Sequence, residues 1–322
     1  MRSLVVEQLS DDLSGVCLVE WPPCDPGPGE VVVDVRAASL NHPDLLMTRG
    51  AYQLKPPLPF TLGMEVAGVV AQAPLDGRFK PGDRVVGGTR LGGFADTVHV
   101  AEAALRPIPD ALSFAQAAAV GAAYLTAWVA LVALGRMRAG DRVLVHGSTG
   151  GVGLAAVDLV HALGGKVIAT SRSPDKLAVV AREYPVEATL PAPDFRERVK
   201  ELTNGGADLI FDPVGGDVFD ESTRCIAFGG RLLVVGFTSG RIATVPTNIP
   251  LIKGFSVVGV RAGEYGRRDP EAGRAAADAV WALAAEGRIR PRIHATYPLD
   301  RWRAAFEAMA AATHIGKIII EP

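Results

Sequence analysis

Residues 143–160 read VLVHGSTGGVGLAAVDLV, and the reading of this stretch decides the fold. It has strand character up to Gly147 and helix character by Gly153. In between, residues 147–153 hold four glycines, a serine and a threonine. A glycine-rich turn that leaves a strand and opens a helix is the pattern of a dinucleotide site. Gly150, Gly151 and Gly153 have the spacing for a tight turn, for backbone lying close to a pyrophosphate, and for close helix–sheet contact. The helix start offers its unpaired amides to the phosphates. Ser148 stands where the usual pattern has its first glycine, and its hydroxyl is a candidate donor to phosphate. Ser148, Thr149, Gly150, Gly151, Val152 and Gly153 are therefore expected to hold a dinucleotide; the alternative is a strand–helix turn without a ligand.

The next strand, KVIAT at 166–170, tells which dinucleotide. A site for NAD usually ends this strand on Asp or Glu, which holds the ribose hydroxyls. Here SRSPDK follows instead, with Ser171, Arg172 and Lys176 at or near the tip. Arg172 can pair with a 2′-phosphate through two donors, and Lys176 adds charge from the next helical turn. The cofactor expected is NADPH; the plainer reading is a solvated Arg and Lys on a surface loop.

Outward from this unit the chain alternates. Apolar runs at 142–146, 166–170, 187–190, 207–212, 231–236 and 256–260 are separated by helical stretches at 151–163, 174–183, 194–203 and 216–228. This predicts an α/β fold with a doubly wound, parallel, six-stranded Rossmann sheet. Ligands of such sheets lie outside the carboxyl ends of the strands. Val214, in DPVGG, is expected on the adenosine half, and Gly236, Phe237 and Thr238 on the nicotinamide half. Val260 and Arg261 end the last strand on the same side. The run at 256–260 would be an exposed apolar edge, which predicts a homodimer through it. Residues before 110 read as short strands between turns, such as VVVDVRAA, GMEVAGVV and DRVVGG. After 261 come helices near 270–286 and 300–312, then IGKIIIEP, a strand with no helix behind it. The domains expected are 1–122 with 262–322, and 123–261.

Composition limits the function. The 322 residues are 48% hydrophobic with a formal net charge of −2, enough for large cores and without the basic face that nucleic acid requires. Three cysteines, none in a Cys-x-x-Cys pair, read as reduced thiols of a cytoplasmic protein. The N-terminus has no signal-peptide core. Residues 111–135 carry no charge, but alanine dominates them, so buried helices are expected rather than a membrane span.

The order of parts resembles the medium-chain dehydrogenase/reductase superfamily. NHPDLLMTRGAYQLKPPLPFTLGMEVAGVV, HGSTGGVGLAAVDL, DPVGGDVF and GGRLLVVGFTSG are similar to its zinc-free NADPH:quinone oxidoreductase branch. The resemblance implies a GroES-like catalytic domain at the β-rich end. Zinc alcohol dehydrogenases of the superfamily place Cys where Asn41 stands, His where Met64 stands, and Cys or Asp near Ala122, so no metal is expected. The histidines are scattered and form no metal-binding pair. Oxidising an alcohol needs a Lewis acid at the alkoxide. Without one, hydride should go to electron-poor acceptors: quinones or related conjugated carbonyls.

The resemblance puts Asn41 and Tyr52 in the substrate pocket as hydrogen-bond donors; the plainer readings are a turn residue before Pro43 and a half-buried loop tyrosine. Asp44 is read as holding a loop or the nicotinamide-side network, the alternative being a residue that moves protons. The resemblance puts Thr126 near the phosphates. Lys317 resembles a lysine near the cofactor in relatives, or is a salt-bridged surface lysine. Tyr124 and Trp128 are core or substrate platform. Arg261 and Ala262 stand where relatives carry aromatic bulk; Arg261 either attracts an anionic substrate or faces solvent. Two other readings stay open: a double-bond reductase of enones, enals or enoyl thioesters, and an NADPH-binding sensor or structural protein without turnover.

Overall fold

The computed structural model describes every residue except Pro23. The β-leaning start resolves into β1 (Arg2–Val6), β2 (Val16–Glu20), β3 (Glu30–Leu40), helix α1 (His42–Thr48), β4 (Phe60–Thr61), β5 (Glu65–Gln72), β6 (Arg84–Gly88), β7 (Thr97–Ala101) and β8 (Leu105–Pro107). Helix α2 (Phe114–Trp128) runs into a π-helical turn at 129–134, and the alternating region follows. It comprises β9 (Arg142–Val145), α3 (Gly151–Ala162), β10 (Lys166–Ser171), α4 (Pro174–Glu183), β11 (Ala188–Pro191), α5 (Phe195–Thr203), β12 (Ala207–Asp212), α6 (Gly216–Ser222), β13 (Ile226–Val234), α7 (Asn248–Lys253) and β14 (Ser256–Gly259). The chain ends through α8 (Ala262–Arg268), α9 (Pro270–Ala285), β15 (Ile293–Pro298), α10 (Trp302–Ala310) and β16 (Lys317–Glu321).

Two compact units result: Met1–Ala122 with Pro291–Pro322, and Ala123–Arg290. The second unit holds a six-stranded sheet in the order β11-β10-β9-β12-β13-β14, parallel throughout. The chain runs from β9 outward to β11, then returns to place β12 on the other side of β9, so the order reverses between β9 and β12. β9 and β12 are buried on both faces, which is why they read as unbroken apolar runs rather than alternating ones. Ser173 starts α4 by accepting a hydrogen bond from the Lys176 amide, with Pro174 just inside the helix.

The first unit closes around a seven-stranded sheet, ordered β15-β16-β3-β5-β6-β8 with β7 on β3, and a three-stranded sheet β2-β1-β4. β16 is inserted between β15, its parallel neighbour, and β3, its antiparallel neighbour. Ile318 and Ile320 of β16 join Val33, Leu40, Val66 and Phe94 in one core, with Trp302 and Phe306 from α10.

Three sequence expectations change. The return to the first unit falls at 290/291 rather than 261/262. Arg288 donates to the Ala162 carbonyl, the Arg290 amide donates to Asp158 Oδ2 at 2.6 Å, and Tyr184 donates to the Arg290 carbonyl, so this segment is bound to the second unit. The helix expected at 216–228 stops at Ser222, because Cys225 and Ile226 are buried where β13 begins beside Ala207. Asn41 caps a helix rather than making a turn. Among the described residues, Phe114–Leu134 is the single helical stretch long and apolar enough to cross a membrane. Ala117–Val120, Ala123 and Ala127 are fully buried within it, as in core helices of a folded domain.

Candidate functional site

In the second unit, the loops that leave the carboxyl ends of β9, β10, β12, β13 and β14 carry the residues expected to hold a dinucleotide. Gly147 takes φ +56°, which turns the chain out of β9. An added Cβ at Gly153 would lie 2.1 Å from the Gly147 carbonyl oxygen, so only glycine lets α3 start this close to the strand end. At Gly150 an added Cβ would meet nothing closer than 3.5 Å, so the protein itself does not require glycine there. Gly150 is also the N-cap of α3 and supplies no side-chain cap, which leaves the first-turn amides available to an anion. Residues 150–152 are half-buried, an open cradle that suits a pyrophosphate.

The side chains differ in what they have left to offer. Ser148 is fully buried, and its hydroxyl and amide both donate to the Thr170 carbonyl, at 2.9 and 3.1 Å. It braces the loop against β10, and its hydrogen is not available to phosphate as expected. Thr149 pairs with Ser171, hydroxyl to hydroxyl at 3.3 Å. Arg172 is exposed at the tip of β10, and Lys176 is half-buried nearby. Burial and the Arg172 charge together lower the pKa of Lys176. Two cations this close, with no acid at the strand tip, suit a dianionic phosphate. Asp212 Oδ1 accepts from the Val214 and Gly215 amides, and the Thr238 and Ser239 amides donate to Pro213 and Val214, so the loops holding Val214, Gly236, Phe237 and Thr238 are stitched together. Val260 is half-buried, and Arg261 is exposed beside Glu264, which also pairs with Arg267 and Arg268. Thr126 is half-buried on α2. Tyr124 belongs to the core, its hydroxyl bonded to Asp158 at 2.7 Å.

In the first unit the expected residues meet in a buried polar cluster. Lys317, 5% exposed, sends its ammonium to Asn41 Oδ1 at 2.7 Å and Glu65 Oε1 at 3.3 Å. The Asn41 amide nitrogen donates to the Ser39 carbonyl and to Glu65 Oε1, both at 3.0 Å. Glu65 Oε2 accepts from the Ala122 amide at 2.7 Å. Asp44 is fully buried and accepts from the Asn41 and Gly63 amides, so it fixes the start of α1 and the loop before β5. Two expectations are corrected. Both Asn41 amide hydrogens are already donated within the unit, so Asn41 is not a free donor to substrate. Lys317 is salt-bridged to Glu65 but is buried in the N-terminal unit rather than on the surface. Tyr52 is half-buried against that core, and its phenol has no protein partner among the described residues.

Zinc does not fit this donor set. It takes thiolate, imidazole or carboxylate lone pairs. Asn41 presents amide hydrogens to Glu65, Met64 presents a thioether, and the Glu65 carboxylate is already held by an ammonium, a carboxamide and a backbone amide. Among the described residues no three His, Cys, Asp or Glu side chains are grouped to hold a metal. Glu65 is not among the site residues to which the sequence motifs point. The signal for its role is Lys317, a lysine next to an isoleucine run in a buried strand, which needs a buried acid as partner.

Comparison with known proteins agrees with both units. Residues 27–110 match the family model described as alcohol dehydrogenase GroES-like domain, and 151–280 match the one described as zinc-binding dehydrogenase. A quinone oxidoreductase-like protein 2 homolog of Nematostella vectensis is 38% identical over 91% of the chain and 82% of its own length. The quinone oxidoreductase of Thermus thermophilus, solved with and without NADPH, superposes over 100% of both chains with a TM-score of 0.86 and 31% identity. A Mycobacterium tuberculosis mycocerosic acid synthase-like polyketide synthase is 34% identical over 92% of the chain, which matches 14% of that protein.

Burial raises the Asp44 carboxyl from 3.8 to about 7, against the lowering effect of its two amide donors and of Lys317. The folded chain therefore holds this proton more tightly than the unfolded one. The stability it contributes is complete below about pH 4 and lost as pH rises through about 7, a change on the order of a few kcal/mol. Denaturation midpoints are expected to fall between pH 5 and pH 8, and Asp44→Asn is expected to flatten that slope. An unchanged slope in the variant would assign the titration elsewhere.

Proposed function

The chain belongs to the medium-chain dehydrogenase/reductase superfamily, among its quinone oxidoreductase-like proteins, and from that premise we propose that it transfers hydride to quinones or related conjugated carbonyls without zinc. It is an oxidoreductase, and NADPH is its coenzyme. The observation that carries the proposal is the Lys317–Asn41–Glu65 cluster, where a metal would need free lone pairs and finds an ammonium and amide hydrogens. An acceptor activated by its own conjugation needs no Lewis acid, only positioning, exclusion of water and a donor to the developing oxyanion.

Bound NADPH supplies the hydride from its nicotinamide ring. The protein's part begins with the first-turn amides of α3 and the backbone at 149–153, which hold the pyrophosphate. Arg172 and Lys176 hold the 2′-phosphate, with Ser171 beside them. Val214 lines the adenosine side, and Gly236, Phe237, Thr238 and Val260 the nicotinamide side. Thr126 and Arg261 belong to the same coenzyme set. The Tyr52 phenol, unlike the Asn41 amide, has a hydrogen to give to the acceptor oxygen. Asp44 keeps the loop geometry around Asn41. A cytoplasmic setting accompanies this reading.

A second reading, reduction of the carbon–carbon double bond of enones, enals or enoyl thioesters, is favoured by the match to a segment of a polyketide synthase. We also propose a homodimer. β14 is the sheet's edge, and around it Phe228, Leu251 and Ile252 are 90, 81 and 74% exposed. Apolar side chains beside unpaired strand amides suit a second copy of the same edge.

Purified protein with NADPH is expected to turn over a quinone panel; consumption of the enones and enoyl thioesters alone would replace the first reading by the second. Arg172→Ala is expected to raise the Kd for NADPH about tenfold, the loss of one charge-assisted contact, with little change for NADH. Equal losses for both would contradict the phosphate clamp. Light scattering at micromolar concentration is expected to give a dimer, with Ile252→Asp shifting it to monomer; monomeric wild type would refute the interface.

A further inference from the structure

Beneath the glycine loop the second unit buries a histidine that the reaction does not use. His146 follows the last residue of β9 and is fully buried. Its Nδ1 lies 2.7 Å from Thr170 Oγ1, and its Nε2 lies 2.8 Å from Ser222 Oγ. The ring packs at an angle of 62° to Phe195, centroids 4.7 Å apart.

The neighbours fix which nitrogen carries the hydrogen. Ser222 gives its one hydroxyl hydrogen to the Val218 carbonyl at 2.7 Å, one turn back in α6, so toward the imidazole it can only accept. Nε2 therefore carries the hydrogen, and Nδ1 accepts from the Thr170 hydroxyl. Burial pushes the imidazole pKa down to about 3, so the ring is neutral and this arrangement holds throughout the physiological range. The result is a directed chain of hydrogen bonds from Thr170 through His146 and Ser222 to Val218.

Thr170 is the residue on which the coenzyme loop rests. Its carbonyl accepts both the amide and the hydroxyl of Ser148. The residue after it, Ser171, meets Thr149, and then comes Arg172. We propose that His146 is a positioning residue for the coenzyme: by holding the Thr170 hydroxyl it pins the end of β10, and with it the turn at 148–150 and the strand tip at 171–172, before NADPH arrives. The inference rests on the reading that NADPH lies on this loop. A ring that only filled core volume would be replaced well by phenylalanine, which keeps the contact with Phe195. A ring that works through Nδ1 would be replaced better by asparagine, whose Oδ1 is bonded to Cγ as Nδ1 is and accepts the same hydrogen bond.

The test is the Kd for NADPH and for NADH, with steady-state kinetics, in wild type, His146→Phe, His146→Asn and Thr170→Val. Loss of one buried hydrogen bond from a preorganised loop is expected to raise both Kd values about tenfold in His146→Phe, with kcat at saturating coenzyme nearly unchanged. His146→Asn is expected to stay within about threefold of wild type despite its smaller side chain. Thr170→Val, which keeps the shape of residue 170 and removes only the hydroxyl, is expected to follow His146→Phe and gives the answer if the ring variants do not fold. Wild-type affinity in His146→Phe or Thr170→Val overturns the inference, as does an asparagine variant that falls as far as the phenylalanine one. Because the loss acts on the shared loop, it strikes both coenzymes, unlike the loss from Arg172→Ala. Wild type that binds neither coenzyme defeats the underlying reading instead.

Discussion

The dinucleotide unit depends on a close approach between two glycines. The Gly147 carbonyl faces the Cα of Gly153 so tightly that a methyl group there would overlap it. That approach brings the start of α3 against the end of β9, and it orients the helix so that its uncapped amides face outward at the sheet's carboxyl edge. The other loops of that edge then fall into place around it. The amide of His146 bonds to Phe211 of β12, and the Ser148 amide bonds to Thr170 of β10, so the two strands flanking β9 are fixed to the same turn. A side chain at residue 153 would separate helix from strand and loosen all three loops together.

The first unit is organised around a charge instead. Burying the ammonium of Lys317 is tolerable only because Glu65 and Asn41 complete its surroundings, and removing one member of such a group generally costs about 3–5 kcal/mol. The cluster joins β16 to β5 and to the start of α1, elements far apart in the chain. A cation is thus present at the heart of the N-terminal unit, but it is a fixed side chain whose hydrogens are directed at Asn41 and Glu65. On the proposed reading, the work of polarising a carbonyl then falls to the acceptor itself.

Much of the second unit was legible because its signals are local. Parallel strands buried on both faces give continuous apolar runs, and the glycine loop, Ser173–Pro174 and the missing acid after Thr170 each lie within a few residues of what they determine. α1, α7 and β15 were not legible. α1 and α7 are two turns or less, and β15 alternates half-buried and exposed residues with no fully buried one to mark it. In the candidate site the same division holds. The coenzyme edge follows from motif and topology. The polar cluster depends on Asn41 meeting Lys317 across 276 residues, a pairing that neither spacing nor composition encodes. Ser148 and Asn41 show the other limit: sequence can supply a donor, but only the fold tells whether its hydrogen is already given away.

The place of β16 has a consequence for how the molecule is made. The dinucleotide unit is a single uninterrupted segment and can complete its sheet as soon as residue 290 has left the ribosome. The N-terminal unit cannot, although its β1 is made first, because the part of β3 that pairs with β16 stays open until residues Lys317–Glu321 emerge. At about 5–20 residues per second, the nascent chain spends roughly ten seconds or more with that edge open. Translation order and assembly order are thus reversed for the two halves, and a truncated product lacking the final residues would carry a finished coenzyme fold beside an unfinished partner.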